Sequence, residues 1–155
     1  MQASTQLYFE DFLPGQIYPG QTRSLGEKEF RAFAEVTGDA HPIHYDPEYA
    51  ARTRFGKCVA HGLLVAAVGA LGASSVSARL EESMVALLEH GGKFLKPVLE
   101  GDAVRTEFEV ESVQPKAASG QGLVRFILRV YGASGDVAML GHHLYLLKSR
   151  KGIAK

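Results

Sequence analysis

Two runs late in the chain alternate apolar and polar residues with the period of a half-buried strand. In the first, Val104, Thr106, Phe108 and Val110 alternate with Arg105, Glu107, Glu109 and Glu111; in the second, Val124, Phe126, Leu128 and Val130 alternate with Arg125, Ile127 and Arg129. The outward acids of one run and the outward arginines of the other predict cross-strand pairs. Met84–Val98 is a further candidate strand. Gly132–Asp136 reads as a hairpin turn, and Val137–Leu147 closes an antiparallel meander. His90 falls in a strand, and His142 and His143, being adjacent in one, point to opposite faces. The longest turn-like stretch is Gln114–Gly122, and Gln16–Ser24 predicts a short extended segment near the start.

Helical spacing governs the remainder. Ser24 and Glu27 stand at capping-box distance before Phe30, Phe33, Ala34 and Thr37, and Gly38 is a natural stop. Asp46-Pro47 predicts a capped turn through Tyr49, with proline at the first helical position. From about Ala60 to Ala78 the chain is rich in Ala and Gly, which predicts a helix that other backbone approaches on every side. The apolar stretch Cys58–Leu80 around it is interrupted by His61 and three serines, and so falls short of the roughly 20 predominantly apolar residues of a membrane span. The whole is an α+β pattern: an antiparallel sheet wrapped around one long central helix.

Composition narrows the function classes. The 155 residues are one domain's worth, 1–155, with neither repeat nor long linker. Lys plus Arg and Asp plus Glu both number 17, so no net field draws the protein onto nucleic acid or an anionic membrane. A content of 46% hydrophobic and 22% charged residues suits a sizeable core. Cys58, the single cysteine, excludes an internal disulfide or a Cys-rich zinc site and suits a reducing cytoplasm. The first six residues carry neither a basic nor an apolar run, so no secretory signal is expected.

Chemistry concentrates in residues 37–64: Thr37-Gly38-Asp39-Ala40-His41-Pro42-Ile43-His44-Tyr45-Asp46, then Ala60-His61-Gly62-Leu63-Leu64, with His61 seventeen residues after His44. Alone, Asp39 reads as a turn residue after a helix and His44 as a loop imidazole bonded to backbone. His41, His44 and Asp39 or Asp46 suggest metal ligands, but Pro42 breaks the helical spacing and no second cluster follows, so no metal is expected. His61 reads as packing or orienting the loop.

Gly-Asp-x-x-Pro-x-His, the Asp-Pro turn with Tyr49-Ala50, and Ala60-His61-Gly62-Leu63-Leu64 together resemble the signature of the MaoC-like, (R)-specific enoyl-CoA hydratase (hydratase 2) family. The likeness runs from about Leu25 to Val110, including Phe94–Val98 and Gly101-Asp102. It implies a hot-dog fold with a MaoC-type overhang loop, at least a homodimer, an acyl-CoA thioester substrate and no cofactor beyond the coenzyme A of the substrate. It also implies that Asp39 and His44 form a water-activating dyad for reversible syn addition of water to a trans-2-enoyl-CoA. Histidine exchanges a proton near neutrality, and a nearby carboxylate fixes or shares it. The helix start at Val59–Gly62 has no Ser, Thr, Asp or Asn to cap it, which leaves the Gly62 N–H as candidate oxyanion donor; close packing is the other reason for a glycine there.

The family usually has Asn where this chain has His41, which bears on substrate choice more than on reaction type. Arg54, Lys57 and Lys93, like Arg52 and Lys96, flank the motif and are candidate coenzyme A cations, although each also reads as a solvated surface charge. Tyr45 joins them as a candidate acyl-pocket residue. Two other readings stay open: a hot-dog thioesterase in which Asp39 directs water to the carbonyl carbon, and a noncatalytic acyl-CoA-binding or partner subunit.

Overall fold

A computed structural model describes residues 5–116 and 120–153. Most of the opening stretch read for a leader, and the middle of the turn-like stretch 114–122, fall on residues 1–4 and 117–119 and lie outside the described residues. Five strands, β1 (Ile17–Ser24), β2 (Met84–Phe94), β3 (Ala103–Lys116), β4 (Gln121–Tyr131) and β5 (Val137–Lys148), form one antiparallel sheet in the order β1-β3-β4-β5-β2. Three short helices, α1 (Glu27–Thr37), α2 (Pro47–Ala51) and α3 (Gly62–Ala67), lie in the chain between β1 and β2, which occupy opposite edges.

The two alternating runs become neighbouring strands. Val104, Phe108 and Val110 of β3 and Val124, Phe126, Leu128 and Val130 of β4 are buried. On the other face Arg125 pairs with Glu111 at 2.9 Å and Arg129 with Glu109 at 2.7 Å, as the charge pattern predicts. The Gly132–Asp136 turn closes through the Gly132 N–H donating to the Asp136 carbonyl at 2.9 Å. Phe126 is the centre of the core, edge-on to Phe12 at 5.7 Å, Tyr145 at 6.0 Å and Phe108 at 6.4 Å.

Four expectations need correction. The long helix over 60–78 does not form: α3 ends at Ala67, and turns with two short 3-10 segments, Leu71–Ala73 and Ser77–Arg79, follow. Glycine costs a helix about 1 kcal/mol relative to alanine, and Gly69 lies so close to the sheet that a Cβ would sit 2.5 Å from Leu128 Cδ2. Downstream, the Ser74 hydroxyl donates to the Leu71 carbonyl, a local bond that competes with helix. The sheet therefore packs on short segments in place of one long rod.

The start of α1 lies two residues later than the Ser24/Glu27 box predicts. Ser24 is spent as the last residue of β1, and the Glu29 carboxylate accepts from the Gly26 N–H at 3.0 Å. The stop at Gly38 holds, at φ 76° with its N–H on the Ala34 carbonyl. The strand expected to reach Val98 stops at Phe94, because the N–H groups of Leu95 and Lys96 both turn onto the Ala138 carbonyl and Pro97 has none to give. In the stretch 114–122, strand pairing persists through Lys116 opposite Gln121, so the strands reach further into it than the composition predicts. No helix among the described residues is long and apolar enough to cross a membrane.

Candidate active site

The loop between α1 and α3 is held by short-range bonds that its polar residues make with their own backbone. Thr37 Oγ1 accepts from the Asp39 N–H at 3.2 Å, and Asp39 Oδ1 from the His41 N–H at 3.3 Å. Pro42–His44 form one 3-10 turn, and His41 caps it: Nδ1 accepts from the Ile43 N–H at 3.3 Å. An asparagine side chain is among the preferred caps at such a place, so His41 retains the capping function and carries its ring proton on Nε2. Asp46 Oδ1 then caps α2, accepting from Glu48 N–H at 2.9 Å and Tyr49 N–H at 3.0 Å, and delivers Ala50 to the core. The loop is tied to the α3 approach through the Val59 N–H on the Ile43 carbonyl at 3.2 Å.

These ties bring Asp39, His44 and His61 together. One ligand-type atom of each lies within 4.8 Å of the others. His44 Nδ1 is 2.6 Å from the Val59 carbonyl, which can only accept, so Nδ1 carries the proton and Nε2 is left with the lone pair. The backbone bond expected of His44 as a loop imidazole is thus made. A carboxylate with two imidazoles is also a donor set that a transition metal could use, although His44 commits Nδ1 elsewhere.

His61 is the residue that sequence reasoning left outside the site. Its ring stacks on His44 at 3.8 Å between centroids and 25° between planes, and its side chain is 2% exposed. Phe30 and Phe33 flank it at 6.2 and 4.7 Å. Nε2 lies 2.5 Å from Tyr45 Oη and 4.0 Å from Asp39 Oδ2. Burial pushes the His61 pKa down, the nearby His44 adds to this, and Asp39 opposes it. Burial and the Asp39 charge push the Tyr45 phenol up, so it stays a hydroxyl. The motif showed that His61 stands before Gly62; a separation of seventeen residues from His44 gives no hint of stacking.

Gly62 opens α3 without a side-chain cap on its preceding residue, and a Cβ there would meet the Phe94 ring at 3.1 Å. The tight contact accounts for a glycine at this position, and no side-chain cap uses the helix start. A cavity of about 330 Å³ adjoins it, lined by Arg54, Phe55, Val59, Gly62, Phe94 and Lys96 among others. Arg54 lies over the Phe55 ring at 4.8 Å. Of the other candidate cations, Lys57 donates to the Glu100 carbonyl at 3.0 Å, and Lys93 lines a different groove with Glu111, Arg125 and Arg129. Arg54 is therefore beside Gly62, whereas Lys93 does not line that cavity.

Comparison with known proteins bears on the family and the fold. Residues 12–130 match the family model described as MaoC like domain. A 3-hydroxybutyryl-CoA dehydratase from Methylorubrum extorquens is 34% identical over 110 residues, 71% of this chain and 68% of that protein. An (R)-specific enoyl-CoA hydratase from Aeromonas caviae is 30% identical over 122 residues, 77% of this chain and 84% of that protein. Among solved structures, an unliganded R-hydratase from Pseudomonas aeruginosa superposes with a TM-score of 0.77 at 26% identity, covering 94% of this chain and 88% of that one. The antiparallel sheet is that of a hot-dog fold.

Proposed function

The chain belongs to the MaoC-like domain family, and from that premise we propose that it catalyses reversible syn hydration of a trans-2-enoyl-CoA to an (R)-3-hydroxyacyl-CoA. The observation that carries the reading is the meeting of the Asp39 carboxylate with a His44 ring whose Nδ1 is bonded to backbone and whose Nε2 is free to act on water.

In the hydration direction a water lies between Asp39 and His44. As its oxygen bonds to C3, the dyad takes a water proton, and the C2–C3 π electrons move toward the thioester carbonyl. The Gly62 N–H stabilises the oxygen that gains charge. The dyad returns a proton to C2 on the same face, which makes the addition syn. Dehydration retraces these steps. No metal or redox group enters the balance, and coenzyme A arrives as part of the substrate. Arg54 beside the cavity suits a coenzyme A phosphate. The other binding candidates have weaker support: Lys57 is held by backbone, Lys93 lines another groove, Tyr45 lines a third groove with Ala34 and Ala40, and His41 is outside the lining of the Gly62 cavity.

The working unit of this reading is a homodimer or larger homo-oligomer in the cytoplasm. Its support is β2, an edge strand carrying Val85, Leu87, Leu88 and Phe94, each more than 40% exposed. Buried, free Cys58 suits a reducing compartment. The test of the dyad is turnover of an enoyl-CoA by the wild type against Asp39→Asn and His44→Gln. Both variants should stay folded and lose turnover, and full turnover in either removes that residue from the dyad.

A further inference from the structure

The His61 ring stacked under His44 performs no step in the proposed reaction, yet it is among the most buried polar side chains described. Its hydrogen bonds fix its proton. Tyr45 has one hydroxyl hydrogen and two neighbours, the Asp39 carbonyl at 2.6 Å and His61 Nε2 at 2.5 Å. A carbonyl cannot donate, so giving the hydroxyl hydrogen to His61 would leave two oxygens facing each other at 2.6 Å with no proton between them. The hydrogen therefore goes to Asp39, and His61 Nε2–H donates to Tyr45. His61 Nδ1 is then bare, and it is a buried atom with no hydrogen-bond partner among the described residues. A proton on Nδ1 would have no acceptor, so the doubly protonated ring is disfavoured at this place.

We propose that His61 is a positioning residue, held neutral in the Nε2–H form, which through Tyr45 pins the Asp39 backbone while its ring face sets the plane of His44. This rests on the reading of Asp39 and His44 as the reacting pair. The two members of that pair are otherwise carried on separate short turns, and the relay from His61 through Tyr45 ties α3's approach to the Asp39 carbonyl, with His61 Nε2 also 4.0 Å from Asp39 Oδ2. A neutral ring also lets His44 become positively charged during proton transfer without a second cation stacked on it at 3.8 Å.

The test has two arms. In the kinetic arm, Tyr45→Phe, His61→Phe and the double variant are assayed on an enoyl-CoA. A misplaced reacting group costs up to about 10²-fold, so each single variant should lower kcat by about 10 to 100-fold with KM within about threefold. The double variant should be no worse than the worse single, because the two residues act as one unit. In the second arm, nitrogen-15 NMR of the histidine rings of the wild type at pH 7 should show His61 protonated on Nε2 and bare on Nδ1, an assignment that needs no turnover. Wild-type kcat in Tyr45→Phe, losses that multiply in the double variant, or a proton on His61 Nδ1 would each overturn the proposal. A wild type that hydrates no enoyl-CoA overturns the reaction reading instead, and the tautomer then decides the relay alone.

Discussion

His143 sets a pH limit on the stability of the fold. It points inward from β5 and is 3% exposed, with His90 5.0 Å away ring to ring and Phe108 and Tyr145 at 6.0 and 5.7 Å. Burial, followed by the charges of His90 and His142, pushes its pKa down from 6.5 to about 4. Between those values the unfolded chain binds a proton at this position that the folded chain refuses. The contribution of neutral His143 is thus fully present above pH 6.5 and is lost as pH falls toward 4. At about 1.4 kcal/mol per pH unit, the whole interval is worth on the order of 3 kcal/mol. The assay is urea unfolding of the wild type and His143→Phe at one protein concentration between pH 7 and 4.5. Carboxylate titration is common to both and cancels, as does any packing difference that is constant with pH. The wild type should lose about 2 to 3 kcal/mol more than the variant over this range. Parallel stability curves would refute the assignment of a refused proton to His143.

Other outcomes follow from single contacts. Asp39→Asn and His44→Gln should each lower kcat by about 10² to 10⁴-fold with an unchanged circular dichroism spectrum, since both occupy a loop. Asp46→Ala removes both bonds that start α2 and should cost about 1 kcal/mol, or roughly 3 °C in Tm for a chain of this length, read by thermal denaturation. Gly20→Ala would place a Cβ 1.9 Å from Oγ1 of buried Thr106, and should destabilise by about 1 to 3 kcal/mol in urea titration. His41→Asn preserves a cap on the Pro42–His44 turn and should leave Tm within about 2 °C; a changed preference between mono- and dicarboxylic enoyl-CoAs would assign the ring to substrate contact. Dialysis against a chelator should leave hydration unaffected, and its loss would point to a metal on Asp39, His44 and His61.

What was legible in the sequence is what depends on near neighbours. Alternation in β3 and β4 gave strands, buried faces and the Arg–Glu pairs, because a period of two fixes which side chains share a face. Gly38 and Asp46-Pro47 mark helix ends through bonds spanning three or four residues. The segment 60–78 misled because small residues permit close approach from any side without saying whether the backbone between them stays helical. The close approach of Leu128 at Gly69 joins positions far apart in the chain and is not carried by any local pattern. In the site, the family resemblance singled out Asp39, His44 and Gly62, and the fold brings Asp39 and His44 together. The stacking of His61 on His44 and its bond to Tyr45 depend on how α3 is docked on the loop, which no local pattern carries.

The central claim is that water adds to C3 of an enoyl thioester, and one measurement separates it from its rivals. Purified protein is given short, medium and branched trans-2-enoyl-CoAs, with loss of the conjugated double bond and release of free thiol followed in parallel and the product resolved on a chiral column. Loss of conjugation without thiol, with an (R)-3-hydroxyacyl-CoA as product, is the expected result. Thiol release at the rate of substrate loss, or binding of every enoyl-CoA with turnover of none, would contradict it.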